Sequence, residues 1–332
     1  MHVGRGFGTR EVLWWTWREI AGLTVVATAA TALHAADLRH VTVPWVLVGL
    51  LGTATSFLVG FKNNATYART WEARTIWGGI VNDSRVFGML ARDLVGGDLS
   101  PEARAATHRR LLHRHLAWLT ALRHQLREPR VWEGMTDPAN AEYRNRNFPV
   151  EEIGGDLLER VRPYLSAEEH AHVARTSNKA AQLLALQSRD LAELCRAGAM
   201  DAVHHVALAE RLGSLVDQQG RCERIKNFPY PRQFATANRF VLWLFVGLVP
   251  FALVPEVAKV TTVWLAVPLS VVVTWVFTTL EKVGDATANP FEGSANDVPI
   301  TAMSRGIEID LRQLFGEPDV PPPLQPHNDI LT

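Results

Sequence analysis

Residues 41–61 and 260–280 are each 21 positions without a charged side chain, and 20–36 and 240–254 are shorter runs free of Asp, Glu, Lys and Arg. A helix rises about 1.5 Å per residue, so roughly 20 apolar residues cross about 30 Å of hydrocarbon. The two longer runs meet that length outright. The shorter ones reach it if Trp14, Trp15 and Trp17 begin the first span at headgroup level, and if the third span begins near Phe234 with Arg239 facing protein or the interface. The pattern predicts four transmembrane helices. A soluble fold with buried core helices is the alternative, and two uncharged runs of this length argue against it.

The polar stretch between the second and third runs reads as helical throughout. From Asn63 to Leu94 no helix breaker interrupts the chain, and Tyr67, Trp71, Ile76, Ile80, Phe87 and Leu90 recur at three to five residues, so one long helix leaves the membrane. Ser100-Pro101-Glu102 starts a second helix that ends before Pro129. Residues 137–148 are irregular or briefly helical. Ser166-Ala167-Glu168-Glu169 resembles a capping box and opens a long helix to about Ala197, and a further helix runs from about Asp201 to Asn227. The tail after Asp285 reads as irregular and contains Pro321-Pro322-Pro323. The expected organisation is an N-terminal segment with spans one and two (1–61), a cytosolic helical region (62–230), spans three and four (231–284) and a cytosolic tail (285–332).

Composition sharpens this picture through charge placement. The 34 Lys+Arg balance 34 Asp+Glu, but the turn holding Asp37, Arg39 and His40 and the turn holding Glu256 and Lys259 carry only two of the basic residues. The positive-inside rule therefore places these turns outside and both termini and the insert in the cytoplasm, in the inner (plasma) membrane of the cell. No small-residue cleavage site interrupts the first apolar run, which is expected to be retained. Cys195 and Cys222 lie in the insert, outside any Cys-x-x-Cys or Cys/His ligand spacing, and are expected to pack as small buried side chains.

Candidate chemistry is sparse. His108, His113, His115, His124 and the pair His204-His205 lack convincing ligand spacing, and no nucleophile elbow, phosphate-binding glycine loop or zinc-protease motif accompanies Asp83-Ser84. No metal, no cofactor and no enzymatic activity are expected. The basic residues are matched by acids and lack aromatic interleaving, which argues against nucleic acid.

Three segments carry a family resemblance. SFLVGFKNNATYARTWEARTIWGGIVNDSR (56–85), CERIKNFPYPRQF (222–234) and NPFEGSANDVPITAM (289–303) fall in order along nearly the whole chain. Together they resemble bestrophin channels, the bacterial branch better than the animal one. The motif positions are Asn63, Asn64, Trp71, Glu72, Arg74, Asn82, Ser84, Arg85, Pro290, Phe291, Asn296 and Asp297. The resemblance implies an all-α homopentamer around one central pore, with four spans per subunit and a helical cytosolic vestibule. It also implies passive conduction of chloride and other monovalent anions, with self and lipid as partners and chloride as the permeant species. A sodium channel of the same fold is the second reading, and a membrane-anchored signalling or enzymatic protein the third.

The resemblance also implies site residues. Thr53, Phe57 and Phe61 are spaced by four on one helix face, with Gly49, Gly52 and Gly60 permitting close helix approach, and SFLVGF aligns with the bestrophin neck. Thr53 stands where a larger apolar residue is common, leaving two Phe rings as the barrier that gates by dewetting. Packing against the other spans is the ordinary alternative for these rings. Lys62 would add positive potential if it faced the same way. Val206, with His205 beside it, falls about where bestrophins carry a cytosolic aperture; a core Val next to two surface histidines is the ordinary alternative. Animal bestrophins gather acids after the fourth span around calcium. The matching stretch here offers Glu292 and Asp297 but places Ser294 and Asn296 among them, so no calcium dependence is expected.

Overall fold

The structure, a computed structural model, describes residues 1–37 and 42–332, so Arg39 and His40 of the expected first outer turn lie outside the described residues. Its helices are α1 Thr9–Trp15, α2 Trp17–Ala35, α3 Trp45–Leu94, α4 Pro101–Arg127, α5 Pro138–Asn147, α6 Leu157–Val161, α7 Ala167–Ala174, α8 Lys179–Arg196, α9 Ala202–Asn227, α10 Arg232–Ala258, α11 Ala266–Ala286 and α12 Ile300–Leu314. Short 3-10 turns and isolated β-bridges complete it. The chain forms two compact units. An apolar unit comprises Gly4–Thr70 and Pro229–Asn289, and a polar unit comprises Met1–Val3, Trp71–Phe228 and Pro290–Thr332.

In the apolar unit α2, α10, α11 and the first part of α3 pack around Leu23, Val48, Leu242, Phe245, Val246, Val249 and Ala252. Hydroxyls on these helices return to their own backbone: Thr31 Oγ1 donates to the Ala27 carbonyl at 2.8 Å and Thr274 Oγ1 to Ser270 at 2.7 Å, which satisfies these donors without water. Pro250 and Pro255 sit inside α10. Pro255 has no N–H for the Phe251 carbonyl four residues back, and the Val43 N–H occupies that acceptor at 3.4 Å. Thr16, the joint between α1 and α2, accepts from Trp275 Nε1 at 2.9 Å.

Among the described residues, α3, α10 and Val263–Ala286 are long and apolar enough to cross a membrane. The chain is a membrane protein. The helix expected as the first span, α2, has 19 residues but is less apolar, because Arg18 and Glu19 stand in its first turn and Ala, Thr and Gly fill much of its length.

The polar unit is built by caps that the sequence advertised. Ser100 Oγ accepts from the Ala103 N–H at 3.2 Å to start α4, and Asp201 Oδ1 accepts from His204 N–H at 2.8 Å to start α9. Ser166 and Glu169 form the capping box of α7. That helix does not run on to Ala197. It stops at Ala174, where Thr176 Oγ1 donates to the Val173 carbonyl at 2.8 Å, and Asn178 Oδ1 then accepts from Ala181 N–H at 3.0 Å to open α8. Short polar side chains that compete for backbone groups thus divide one expected helix into two.

A second correction concerns the tail. Residues 300–314 form α12, which buries Ile300, Thr301, Ser304, Ile307 and Leu311, an amphipathic spacing of three to four residues. It packs on α4, in a core that also holds Trp77, Phe87, Trp118 and Leu122. Leu331 N–H donates to the Met1 carbonyl at 2.9 Å and Val3 N–H to Asp329 at 2.8 Å. Both cysteines are free thiols. Cys222 is buried as expected and burial pushes its thiol up, whereas Cys195 is only half-buried.

Candidate ion pathway

The first part of α3 has one face with a neighbour and one without. Val48, Thr55 and Val59 are buried, and Gly52 lies against Phe245, where an added Cβ would come within 2.8 Å of the ring. Of the three glycines expected to permit close approach, only Gly52 does so within the chain, since nothing lies within 4 Å of a Cβ at Gly49 or Gly60. On the other face Leu50, Phe57, Phe61 and Tyr67 are exposed, with Thr53 and Asn64 between them. Phe57 and Phe61 are 66% and 64% accessible, high values for large apolar side chains, and their rings lie 5.6 Å apart. Thr53 Oγ1 donates to the Gly49 carbonyl at 3.0 Å, so its hydroxyl is satisfied by its own helix and its methyl is free to face outward.

Lys62 does not follow the two rings. It turns inward, 1% accessible, and donates to Glu281 Oε1 at 2.5 Å and Asp285 Oδ1 at 2.6 Å on α11. Its charge is neutralised by two carboxylates and contributes no basic collar beside Phe61. Asn63 Nδ2 donates to the Leu280 carbonyl at 3.1 Å, and Gly284 faces it so closely that a Cβ there would overlap its Oδ1. α3 and α11 are therefore fastened to each other directly behind the exposed aromatic pair.

The motif residues of the polar unit are dispersed rather than gathered into one centre. Trp71 and Asn82 are exposed, and Arg74 is exposed with Nη1 3.5 Å from the Met1 sulfur. Glu72 pairs with Arg224, and Arg85 with Asp310 at 2.7 Å. Ser84 is buried and bonded at 2.9 Å to Nε2 of His115, whose pKa burial lowers to about 3. Beside it Asp83 accepts from Arg211 at 3.1 Å, Ser214 at 2.5 Å and Gln218, which clamps α3 to α9. No local signal announces this clamp, because the Asp83 partners lie 128 to 135 residues away. On α9, Val206 is 55% accessible and His205 is half-buried, so Val206 occupies an uncovered position while Leu208, two residues on, is core.

Pro290 and Phe291 are buried, and the loop after them is closed upon itself. Asp297 accepts from Arg127 Nη1 at 2.7 Å, the Gly293 N–H at 2.7 Å and Ser294 Oγ at 2.5 Å, and the Asn296 N–H donates to Ser294 Oγ at 3.2 Å. Glu292 Oε2 accepts from the Gly134 N–H at 2.7 Å. Burial, with Asp297 and Glu133 nearby, raises the Glu292 carboxyl well above the usual range and favours its neutral form.

A family model described as Bacterial/Fungal Bestrophin protein matches residues 7–313. The chain belongs to the bestrophin family. Among the relatives, the voltage-dependent anion channel-forming protein RSc3414 of Ralstonia nicotianae is 31% identical over 82% of this chain and 77% of its own. YneE of Escherichia coli K12, which bears the same description, is 28% identical over 83% of this chain and 79% of its own. A crystal structure of a bacterial bestrophin homolog from Klebsiella pneumoniae has the same fold, with a TM-score of 0.75 at 23% identity, covering 90% of this chain and 98% of that one.

For a bestrophin, the loop at 289–297 raises the question of calcium, and its donor set does not fit. A calcium site needs six to eight oxygens around a hard cation. Here the Asp297 carboxylate is engaged by a guanidinium, an N–H and a hydroxyl, Glu292 is held toward its neutral form, and Arg127, only 3% accessible, brings its own positive charge.

Proposed function

We propose that this bestrophin forms a passive channel for chloride and other monovalent anions, with Thr53, Phe57 and Phe61 of α3 lining its neck and Val206, beside His205, its cytosolic aperture. In this reading five copies surround one pore, α2 serves as a span alongside the three more apolar helices, and the stretches 1–61 and 231–284 carry the spans. The regions 62–230 and 285–332, with both termini, are cytoplasmic to an inner membrane.

The observation that carries the reading is the uncovered aromatic pair on α3. Two neighbouring phenylalanines that a single chain leaves exposed, on the helix face opposite its own core, suit a symmetric ring of copies facing a common axis. Aromatic edges carry partial positive charge and favour an anion that has shed part of its water. The relatives described as anion channel-forming support the anion assignment.

One observation favours the second reading, a sodium channel of the same fold. Lys62, which follows Phe61 in the chain, is buried between Glu281 and Asp285, so its charge is balanced and is not presented beside Phe61 to exclude cations. Proteoliposomes carrying chloride and then sodium gradients separate the two. Chloride-selective flux is the expected result, sodium-selective flux establishes the alternative, and absence of both overturns the channel reading.

A further inference from the structure

The polar unit contains a cavity of about 380 Å³ between α4, the segment 151–164 and α12. Most of its charged lining is already committed. Glu152 accepts from Arg123 at 2.5 Å and from Thr301 at 2.8 Å, and although burial pushes its carboxyl up, Arg123 and Arg127 outweigh this and hold it below the ordinary range. Glu308 accepts from Arg312 at 2.9 Å and Tyr164 at 3.3 Å, with Arg305 at 3.3 Å.

Arg123 is committed as well, to Glu152 at 2.5 Å and Glu151 at 3.9 Å. Two basic groups on the lining are uncommitted: among the described residues neither the Arg160 nor the His124 side chain makes a hydrogen bond or ion pair, and both lie within 3.7 Å of the space a Cβ on Gly155 would take. A guanidinium and an imidazole converging on one point of a cavity wall suit an oxyanion. The acids at the opening, Glu151 and Glu159, have side chains 40% and 65% accessible, so solvent screens them, yet they oppose a second negative charge on an occupant.

We propose that this cavity binds a small organic carboxylate of single negative charge, its oxygens received by Arg160 and His124. The volume admits a few carbon atoms beyond the carboxylate, against Leu116 and Pro163. Burial lowers the His124 pKa, assisted by Arg123 and Arg160, while Glu152 and Asp156 act in the other direction. A bound anion favours the imidazolium, so binding takes up a proton and affinity rises as pH falls.

Titration of the purified full-length protein with sodium lactate, against sodium chloride as blank, tests this by calorimetry, independently of whether the protein conducts. One site per chain, saturating below about 10 mM, is expected. Arg160→Ala should weaken it about ten-fold, Arg160→Lys less, and His124→Asn should remove the pH dependence. Arg160 is exposed, so its variants should keep the parent melting temperature. Arg162→Ala, which loses only an exposed pair with Glu159, should bind as the parent does. A flat lactate titration overturns the proposal, as does an isotherm unchanged in the Arg160→Ala/His124→Asn double variant. Tighter binding of phosphate dianion at pH 8 would overturn the assignment to a monoanion.

Discussion

α3 is one continuous helix of 50 residues whose two parts meet opposite conditions. In the apolar unit it exposes Phe57 and Phe61 and buries Lys62, whereas in the polar unit it buries Trp77, Ile80, Phe87 and Ala91 completely or nearly so. Hydrophobicity alone does not distinguish the two aromatic sets. What differs is coverage: Trp77 is covered by its own chain, while the Phe57 and Phe61 rings are left uncovered by theirs. An aromatic residue that a chain leaves bare is a candidate for function, and one that it encloses is a contribution to stability.

The contrast predicts opposite outcomes for one kind of substitution on one helix. Trp77→Ala removes a fully buried indole and should cost about 3–5 kcal/mol, read as lost yield of folded protein and a lower melting temperature. Phe57→Ala or Phe61→Ala, at uncovered positions, should alter the stability of the subunit by no more than about 0.5 kcal/mol while raising liposome flux. If Phe57→Ala destabilises as strongly as Trp77→Ala, the rings are packing residues and the neck lies elsewhere.

Buried charge extends the comparison. Lys62 faces Glu281 and Asp285 in the apolar unit, one cation against two acids, whereas in the polar unit Arg114 faces Glu169 at 2.5 Å and Asp190 at 2.8 Å, and Arg110 joins Asp190 at 2.8 Å. Arg114 also donates to Gln187 at 2.7 Å, whereas the Lys62 group leaves Glu281 Oε2 buried without a partner. Lys62→Met should therefore be severe, about 3–5 kcal/mol, because it strands a buried carboxylate. Adding Glu281→Gln should recover most of the folded yield. Equal loss in the single and double variants would mean that shape, and not charge, dominates there.

Much of this was legible in sequence because it is local. Ser100-Pro101-Glu102, Ser166 with Glu169, and Asp201 announced helix starts within four residues, and three of the four charge-free runs fall in helices long and apolar enough to cross a membrane. The misses arose where local signals compete or where partners are distant. The Thr176-Ser177-Asn178 break carries no Gly or Pro, and α12 was hidden by the proline-rich residues beyond it although Ile300, Ile307 and Leu311 keep helical spacing. The Lys62 partners lie 219 and 223 residues away, so its direction could not be read from its own helix.

The polar unit should also be the more acid-sensitive, and His115 states the reason. It is fully buried between Phe87 and Trp118, its pKa lowered by desolvation to about 3 from an unfolded value near 6.5. The unfolded chain binds the proton first, so stability is complete above about pH 6.5 and falls by about 1.4 kcal/mol per pH unit below it, until the folded pKa is reached. His115→Gln should flatten that slope in melting temperatures measured from pH 7 to pH 5. An unchanged slope would assign the acid sensitivity to other groups.

The smallest expected effect tests whether the comparison reaches α9. Val206 is 55% accessible and Leu208 is fully buried, two residues apart on one helix, as Phe57 and Val59 are on α3. By the same reasoning Leu208→Ala should destabilise by about 2–5 kcal/mol, and Val206→Ala should leave the melting temperature nearly unchanged. The aperture reading adds that Val206→Ala changes ion preference or rectification, because removing two methyl groups from every copy widens and wets an apolar ring. His205, half-buried beside it, offers a control: His205→Gln keeps a polar side chain of similar reach and should change conduction less than Val206→Ala. Reversal potentials in mixed chloride and sodium gradients, measured for the parent and both variants, give the answer. If Val206→Ala and the parent are indistinguishable while Phe57→Ala conducts more, the uncovered positions of α9 serve packing between copies, and selection belongs to α3 alone.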